Sequence, residues 1–163
     1  MRIVVISDTH IPHRAADLPT PVWDAIDAAD LVVHAGDFTS HDFLVELRSV
    51  KPLRAVYGNM DEYAVVSELP EREVFEAEGK RIGIIHGFGA PLGLDQRVKQ
   101  RFKDTPVDIL IFGHSHQPLI RQEEGGLWLL NPGSPTDTIF ARRRTFILLT
   151  LEGERVDAEL ITL

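Results

Sequence analysis

The chain has 163 residues, 44% of them hydrophobic and 26% charged, with no cysteine. That length suits one domain with a substantial core, and the missing thiols exclude disulfide frameworks, zinc fingers and cysteine nucleophiles. Against 25 Asp+Glu there are 17 Lys+Arg, a formal net charge of −8 that repels phosphate polymers and anionic membranes.

In chain order, the first apolar run is Ile3–Ile6, which meets Asp8 almost at once and reads as a strand, not a signal-peptide core. A helix follows, with Thr20 as N-cap, Pro21 as its first residue, and Val22, Ile26 and Ala29 on one face. Leu31–Val33 is the second run, and a helix from near Ser40 buries Phe43, Leu44 and Leu47. Leu53–Tyr57 and Ile82–Ile85 are the third and fourth runs. A further helix carries Leu94, Val98 and Phe102 at intervals of four, and its Arg97, Lys99, Arg101 and Lys103 read as a solvated face, not a nucleic-acid patch. Val107–Phe112 is the fifth run. These runs are continuous and rich in Val and Ile, as in strands buried on both faces.

The C-terminal part changes style. Pro118–Gln122 and Leu127–Leu130 flank Glu-Glu-Gly-Gly, and Thr145–Leu151 and Arg155–Leu163 flank Glu-Gly-Glu; both are hairpin signals. In the last strand Val156, Ala158 and Leu160 alternate with Asp157 and Glu159, so one face is wet. A layered α/β sandwich accommodates βαβ units and hairpins together. No run approaches the ~20 apolar residues of a membrane span. The expectation is a single cytoplasmic domain over residues 1–163 with no membrane contact. Nucleic acid is disfavoured and a homo-oligomer is left open.

Metal-competent residues follow each of the five buried runs: Asp8 and His10, Asp37, Asn59, His86, and His114 with His116. The C-terminal strand edge is where open α/β sheets bind ligands. A lone histidine after a strand is ordinarily a hydrogen-bonded turn residue; five such sites at one edge point to a shared metal centre. Seven side chains are too many for one tetrahedral zinc and suggest two ions, roughly 3.5–4 Å apart in such centres. Mixed imidazole, carboxylate and amide donors suit manganese, with nickel, iron, cobalt or zinc as alternatives. Two divalent ions against two aspartates leave a positive pocket that attracts a phosphate ester despite the net charge.

Asp8-Thr9-His10, Gly36-Asp37, Gly58-Asn59, His86-Gly87 and Gly113-His114-Ser115-His116 resemble, in order, the five signature motifs of the calcineurin-like metallophosphoesterase superfamily. Asn131-Pro132-Gly133-Ser134 resembles the segment that follows in its small single-domain prokaryotic phosphodiesterase branch, which includes the retromer scaffold subunit of eukaryotes. The resemblance implies a four-layer αββα sandwich. It implies one metal on Asp8, His10, Asp37 and His116 and a second on Asp37, Asn59, His86 and His114, with Asp37 bridging. Asp37 and Asn59 are the catalytic candidates, and the implied reaction is hydrolysis of a small phosphodiester by a metal-bridging hydroxide.

Much of the superfamily has a histidine directly after the asparagine, associated with the leaving group. This chain has Met60, which cannot donate a proton. The competing expectation is a protein-interaction scaffold with the fold but little or no catalysis. A nuclease is disfavoured by the acidic composition. Outside the motifs, His34 reads as a core histidine, Asp61 as a partner orienting a ligand or as a turn residue, and His13 and Arg14 as pocket-mouth or loop residues.

Overall fold

The computed structural model describes residues 1–163. Its elements run β1 (Arg2–Ile6), α1 (Thr20–Asp27), β2 (Leu31–His34), α2 (His41–Val50), β3 (Leu53–Ala55), α3 (Tyr63–Glu68), β4 (Arg72–Ala77), β5 (Lys80–Ile85), α4 (Leu94–Arg101), β6 (Ile109–Phe112), β7 (Leu119–Gln122), β8 (Trp128–Asn131), β9 (Thr145–Glu152) and β10 (Arg155–Thr162). One five-stranded sheet has the order β10-β9-β1-β2-β3 and the other β4-β5-β6-β8-β7.

Four of the five apolar runs behave as expected of two-faced strands; the third does not, since β3 covers only Leu53–Ala55 and its Arg54 is exposed. Ile3 and Val5 point between the sheets, with Leu31 and Val33, against Phe75, Ile82, Ile84, Ile109 and Ile111 of the second sheet. Val4 and Ile6 point the other way and bury Val22 and Ile26 of α1 and Phe43, Leu44 and Leu47 of α2. On the far side of the second sheet, Ile85, Leu110 and Phe112 cover Leu94 and Val98 of α4, with Phe102 just beyond its end. Helix, sheet, sheet and helix thus form the four-layer αββα sandwich. Each fully buried aliphatic side chain contributes ~1.5–3 kcal/mol.

β1, β2 and β3 are parallel to one another, as are β5, β6 and β8. Both hairpins form, β7 with β8 and β9 with β10. The wet face of β10 is real: Asp157 and Glu159 are exposed and Val156, Ala158 and Leu160 are half-buried.

Three local expectations are corrected. Thr20 does not cap α1; Pro19 stands at the N-cap with no side-chain acceptor. Its carbonyl takes the Val22 and Trp23 N–H groups, and the helix relies on the buried Val22 and Ile26 instead. Ser40 does cap α2, its side chain accepting from Phe43 N–H at 3.3 Å. The basic residues of α4 are not merely solvated. Arg97 donates to the Phe88 and Leu92 carbonyls at 3.0 Å each and also to that of Ala90, pinning the loop after β5. Lys99 reaches Glu123 and Arg101 reaches Glu71 at 2.8 Å. Finally, two elements were not expected: β4, whose sequence mixes polar and apolar residues, and α3, a single short apolar turn and a half. β4 exists because Phe75 and Ala77 complete the inter-sheet core while it pairs with β5.

Candidate metal centre

The seven candidate ligands stand on loops at the C-terminal ends of β1, β2, β3, β5 and β6, and the two sheets bring those loops together. Asp8 N–H donates to the Gly36 carbonyl and His10 N–H to that of Asp37, at 3.0 Å each. Gly113 N–H donates to the His86 carbonyl at 3.0 Å. His114 N–H crosses to the Asp8 carboxylate, 3.2 and 3.0 Å from its two oxygens.

Five of the seven, Asp8, His10, Asp37, His114 and His116, have positive φ, between 47° and 70°. Each such non-glycine residue costs ~1–3 kcal/mol and persists only where its surroundings over-determine it. Here Ser134 Oγ donates to the Asp8 carbonyl at 2.8 Å, Thr136 Oγ1 to that of Thr9 at 2.7 Å, and Asn131 Nδ2 to that of Gly113 at 2.9 Å. Asp61 accepts from three backbone N–H groups: Asp37 at 3.1 Å, Thr39 at 2.7 Å and Gly58 at 2.7 Å. It therefore clamps the main chain of two ligand loops and does not contact a ligand side chain. Gly58 is required by proximity, since a Cβ there would collide with the Asp37 carboxylate and lie 2.5 Å from its nitrogen.

The donor atoms converge. Asp8, His10 and His116 form one group, and Asp8, Asp37 and His86 another, each with ligand atoms within 4.8 Å of one another and all buried. Asp8 Oδ1 is 3.2 Å from His116 Nε2 and 3.9 Å from His86 Nε2. Asp37 Oδ2 is 3.6 Å from His10 Nε2 and 3.4 Å from His86 Nε2. Both carboxylates therefore reach rings of both groups. The Asn59 amide oxygen lies 3.2 Å from His86 Nε2 and 3.1 Å from His114 Nδ1, which joins them to the second group.

The far sides of the rings fix which nitrogen faces inward. His86 Nδ1–H donates to the Ala35 carbonyl at 2.8 Å, His114 Nε2–H to that of Gly89 at 2.8 Å, and His116 Nδ1–H to the buried carboxylate of Asp137. Those partners are acceptors, so Nε2 of His86 and of His116 and Nδ1 of His114 are the nitrogens that face the carboxylate and amide oxygens. A proton or a metal ion on each inward nitrogen satisfies those oxygens, and imidazoles oriented by outer hydrogen bonds are the usual arrangement around bound metals. A divalent cation fits this donor set.

The electrostatics agree. Burial alone would raise the Asp8 carboxyl, but the His116 hydrogen bond and the charges of His86 and His116 hold it well below the usual carboxylate range. Burial would likewise lower His86, yet its bond to Asp37 and the charge of Asp8 carry it up to about 9. His116 is raised by Asp8 and Asp137 against the same burial. A metal ion competes with these protons for the same lone pairs.

The calcineurin-like phosphoesterase superfamily domain model matches residues 1–154. The chain belongs to that superfamily. A probable metallophosphoesterase of Methanothermobacter thermautotrophicus is 45% identical over 161 residues, 99% of this chain and 92% of the relative. A Thermotoga maritima protein solved by NMR is 34% identical, with TM-score 0.77 and 99% of each chain covered. Vps29 of Entamoeba histolytica complexed with zinc is 27% identical, with TM-score 0.79 and again 99% of each chain covered. Metallophosphoesterase membership and the converging donors together indicate divalent metal binding.

Other residues fall beside the centre. His34 is a fully buried core histidine: Thr9 Oγ1 lies 3.0 Å from Nε2, Gly36 N–H donates to Nδ1 at 3.1 Å, and Phe38 stacks on the ring at 3.5 Å. Arg14 sits 3.4 Å from Asp137 and over the Phe140 ring, while His13 is exposed. Met60 is 54% exposed, and its backbone N–H donates to Asp37 Oδ1 at 2.8 Å. Asp137 was missed by sequence reasoning, because an acidic residue in an unpatterned loop carries no local signal. Its one pointer was the nearby Asn131-Pro132-Gly133-Ser134 turn.

Proposed function

We propose that this metallophosphoesterase is a dinuclear, metal-dependent phosphodiesterase that hydrolyses small phosphodiesters in the cytoplasm. The observation that carries the reading is the pair of buried donor groups, with Asp8 common to both and Asp37 Oδ2 within 3.6 Å of His10 and 3.4 Å of His86. Asp8, His10, Asp37 and His116 would hold one ion, and Asp37, Asn59, His86 and His114 the other, with manganese favoured over nickel, iron, cobalt or zinc by the mixed donors. When bound, divalent ions supply positive charge to the phosphoryl oxygens and acidify water near neutral pH.

The chain's own residues set up that chemistry. Ala35, Gly89 and Asp137 keep the far ring protons of His86, His114 and His116 in place, so each of these three turns its other nitrogen inward, where a metal would take it. Met60 N–H occupies Asp37 Oδ1 and leaves Oδ2 for the centre. The Met60 side chain holds no proton for a departing alkoxide, a step for which a positioned acid typically contributes ~10²–10⁴-fold. Diesters with good leaving groups are therefore preferred over monoesters.

A second reading, a metal-binding interaction scaffold with little or no turnover, is supported by the similarity to Vps29. One experiment separates the two. Protein purified without chelator is assayed for metal content, then screened on phosphodiesters and monoesters with Mn, Ni, Co, Zn and Mg. Two metal equivalents with metal-dependent diester cleavage support the first reading; bound metal without turnover on any ester supports the second.

A further inference from the structure

A cleft of about 200 Å³ opens beside the candidate centre, lined by Tyr57, Asn59, Glu71, His86, Phe88 and Arg101 among others. Asn59 and His86 belong to both, so a phosphoryl group at the centre has one ester substituent within reach of the cleft. Its size exceeds the roughly 150 Å³ of a cavity that admits benzene, so one substituted ring fits. Tyr57 and Phe88 give it aromatic walls. Its polar side is a built pair: Arg101 Nη2 donates to Glu71 Oε1 at 2.8 Å, and the guanidinium carbon stands 6.0 Å from the Phe88 ring centre. That pair leaves spare guanidinium donors and a spare carboxylate oxygen side by side. Apolar walls with a few convergent polar groups are the make-up of a small-molecule site.

We infer that this cleft receives the organic arm of the phosphodiester and selects a planar aromatic group with a hydrogen-bonding edge, as a nucleobase has, over an alkyl or plain phenyl group. Tyr57 and Phe88 contact the ring, and Glu71 with Arg101 meet its polar edge. The inference rests on the phosphoester reading above and adds to it the class of substituent.

The test is calorimetric binding to zinc-loaded protein of three probes: inorganic phosphate, phenyl phosphate and thymidine 5′-phosphate. Stacking of a base on an aromatic side chain predicts thymidine 5′-phosphate about tenfold or more tighter than inorganic phosphate, with phenyl phosphate between. Phe88→Ala should collapse the ratio of nucleotide to phosphate affinity. Arg101→Gln should collapse the ratio of nucleotide to phenyl phosphate. Equal binding of all three probes, or ratios that survive both substitutions, overturns the inference while the phosphoester reading stands. Failure of inorganic phosphate itself to bind overturns both.

Discussion

His116 and Asp137, 21 residues apart in the chain, form a buried pair in which the imidazole Nδ1–H donates to the carboxylate, while Nε2 faces Asp8 Oδ1 at 3.2 Å. The same carboxylate accepts from the Phe140 and Ala141 N–H groups, so it is held from two sides. Asp137→Asn removes its charge and should weaken zinc binding by ~10–100-fold while leaving the fold intact. Competition against a chromophoric chelator measures this; an unchanged affinity would mean that the Phe140 loop alone orients His116.

Asp8 and Asp37 each reach rings of both donor groups, and the resemblance to the superfamily assigns the bridge to Asp37. Comparing Asp8→Asn with Asp37→Asn decides it. Asp37→Asn is expected to lose the second metal equivalent, weaken the first and lower turnover by several orders of magnitude. Metal analysis after dialysis gives the count. Two retained equivalents in Asp37→Asn, with loss of both in Asp8→Asn, would move the bridge to Asp8.

Gly58→Ala tests the close approach of the β3 loop to Asp37. A Cβ there meets the carboxylate and the backbone nitrogen of Asp37, so the loops must separate. The expected cost is ~1–3 kcal/mol in urea unfolding, with weakened metal binding. Wild-type stability would show that the loops part freely.

Met60 is half-exposed, and its bond to Asp37 comes from the backbone N–H, so Met60→His should be accommodated. The imidazole would supply a leaving-group acid, flattening the dependence of log kcat on leaving-group pKa across a series of aryl phosphates and raising monoester activity. Equal slopes at matched metal occupancy would assign Met60 no part in the choice of substrate.

His34 sets an acid limit on stability. Burial holds its pKa at about 3, below the ordinary value near 6.5, so the unfolded chain binds the proton more readily than the folded one. The sign follows: its contribution is complete above pH 6.5 and is lost as pH falls from 6.5 towards 3, at up to about 1.4 kcal/mol per pH unit. The stability difference between wild type and His34→Gln, followed by urea unfolding from pH 7 to pH 4.5, should shrink in that direction. A pH-independent difference would mean that His34 takes up its proton as readily in the fold as in the unfolded chain.

All the strands but β4, and the strand ends that carry the candidate ligands, were legible in the sequence. A strand buried on both faces needs an unbroken run such as Ile3–Ile6 or Ile109–Phe112, and the chain must turn where that run stops, which places Asp8 and His114 at the C-terminal ends of β1 and β6; that these lie in two different sheets was decided by the tertiary structure. What the tertiary structure decided was everything that depends on groups distant in sequence. The ring orientations of His86 and His116 are set by Ala35 and Asp137, 51 and 21 residues away. Asp61 could be read equally as a turn residue until its three backbone donors were assembled around it. β4 has no pattern of its own and is a strand because β5 offers it an edge and the core offers Phe75 a place. Local periodicity reports which face of an element is buried; it carries no record of the partner that satisfies a polar atom, because that partner is chosen by packing across the two sheets.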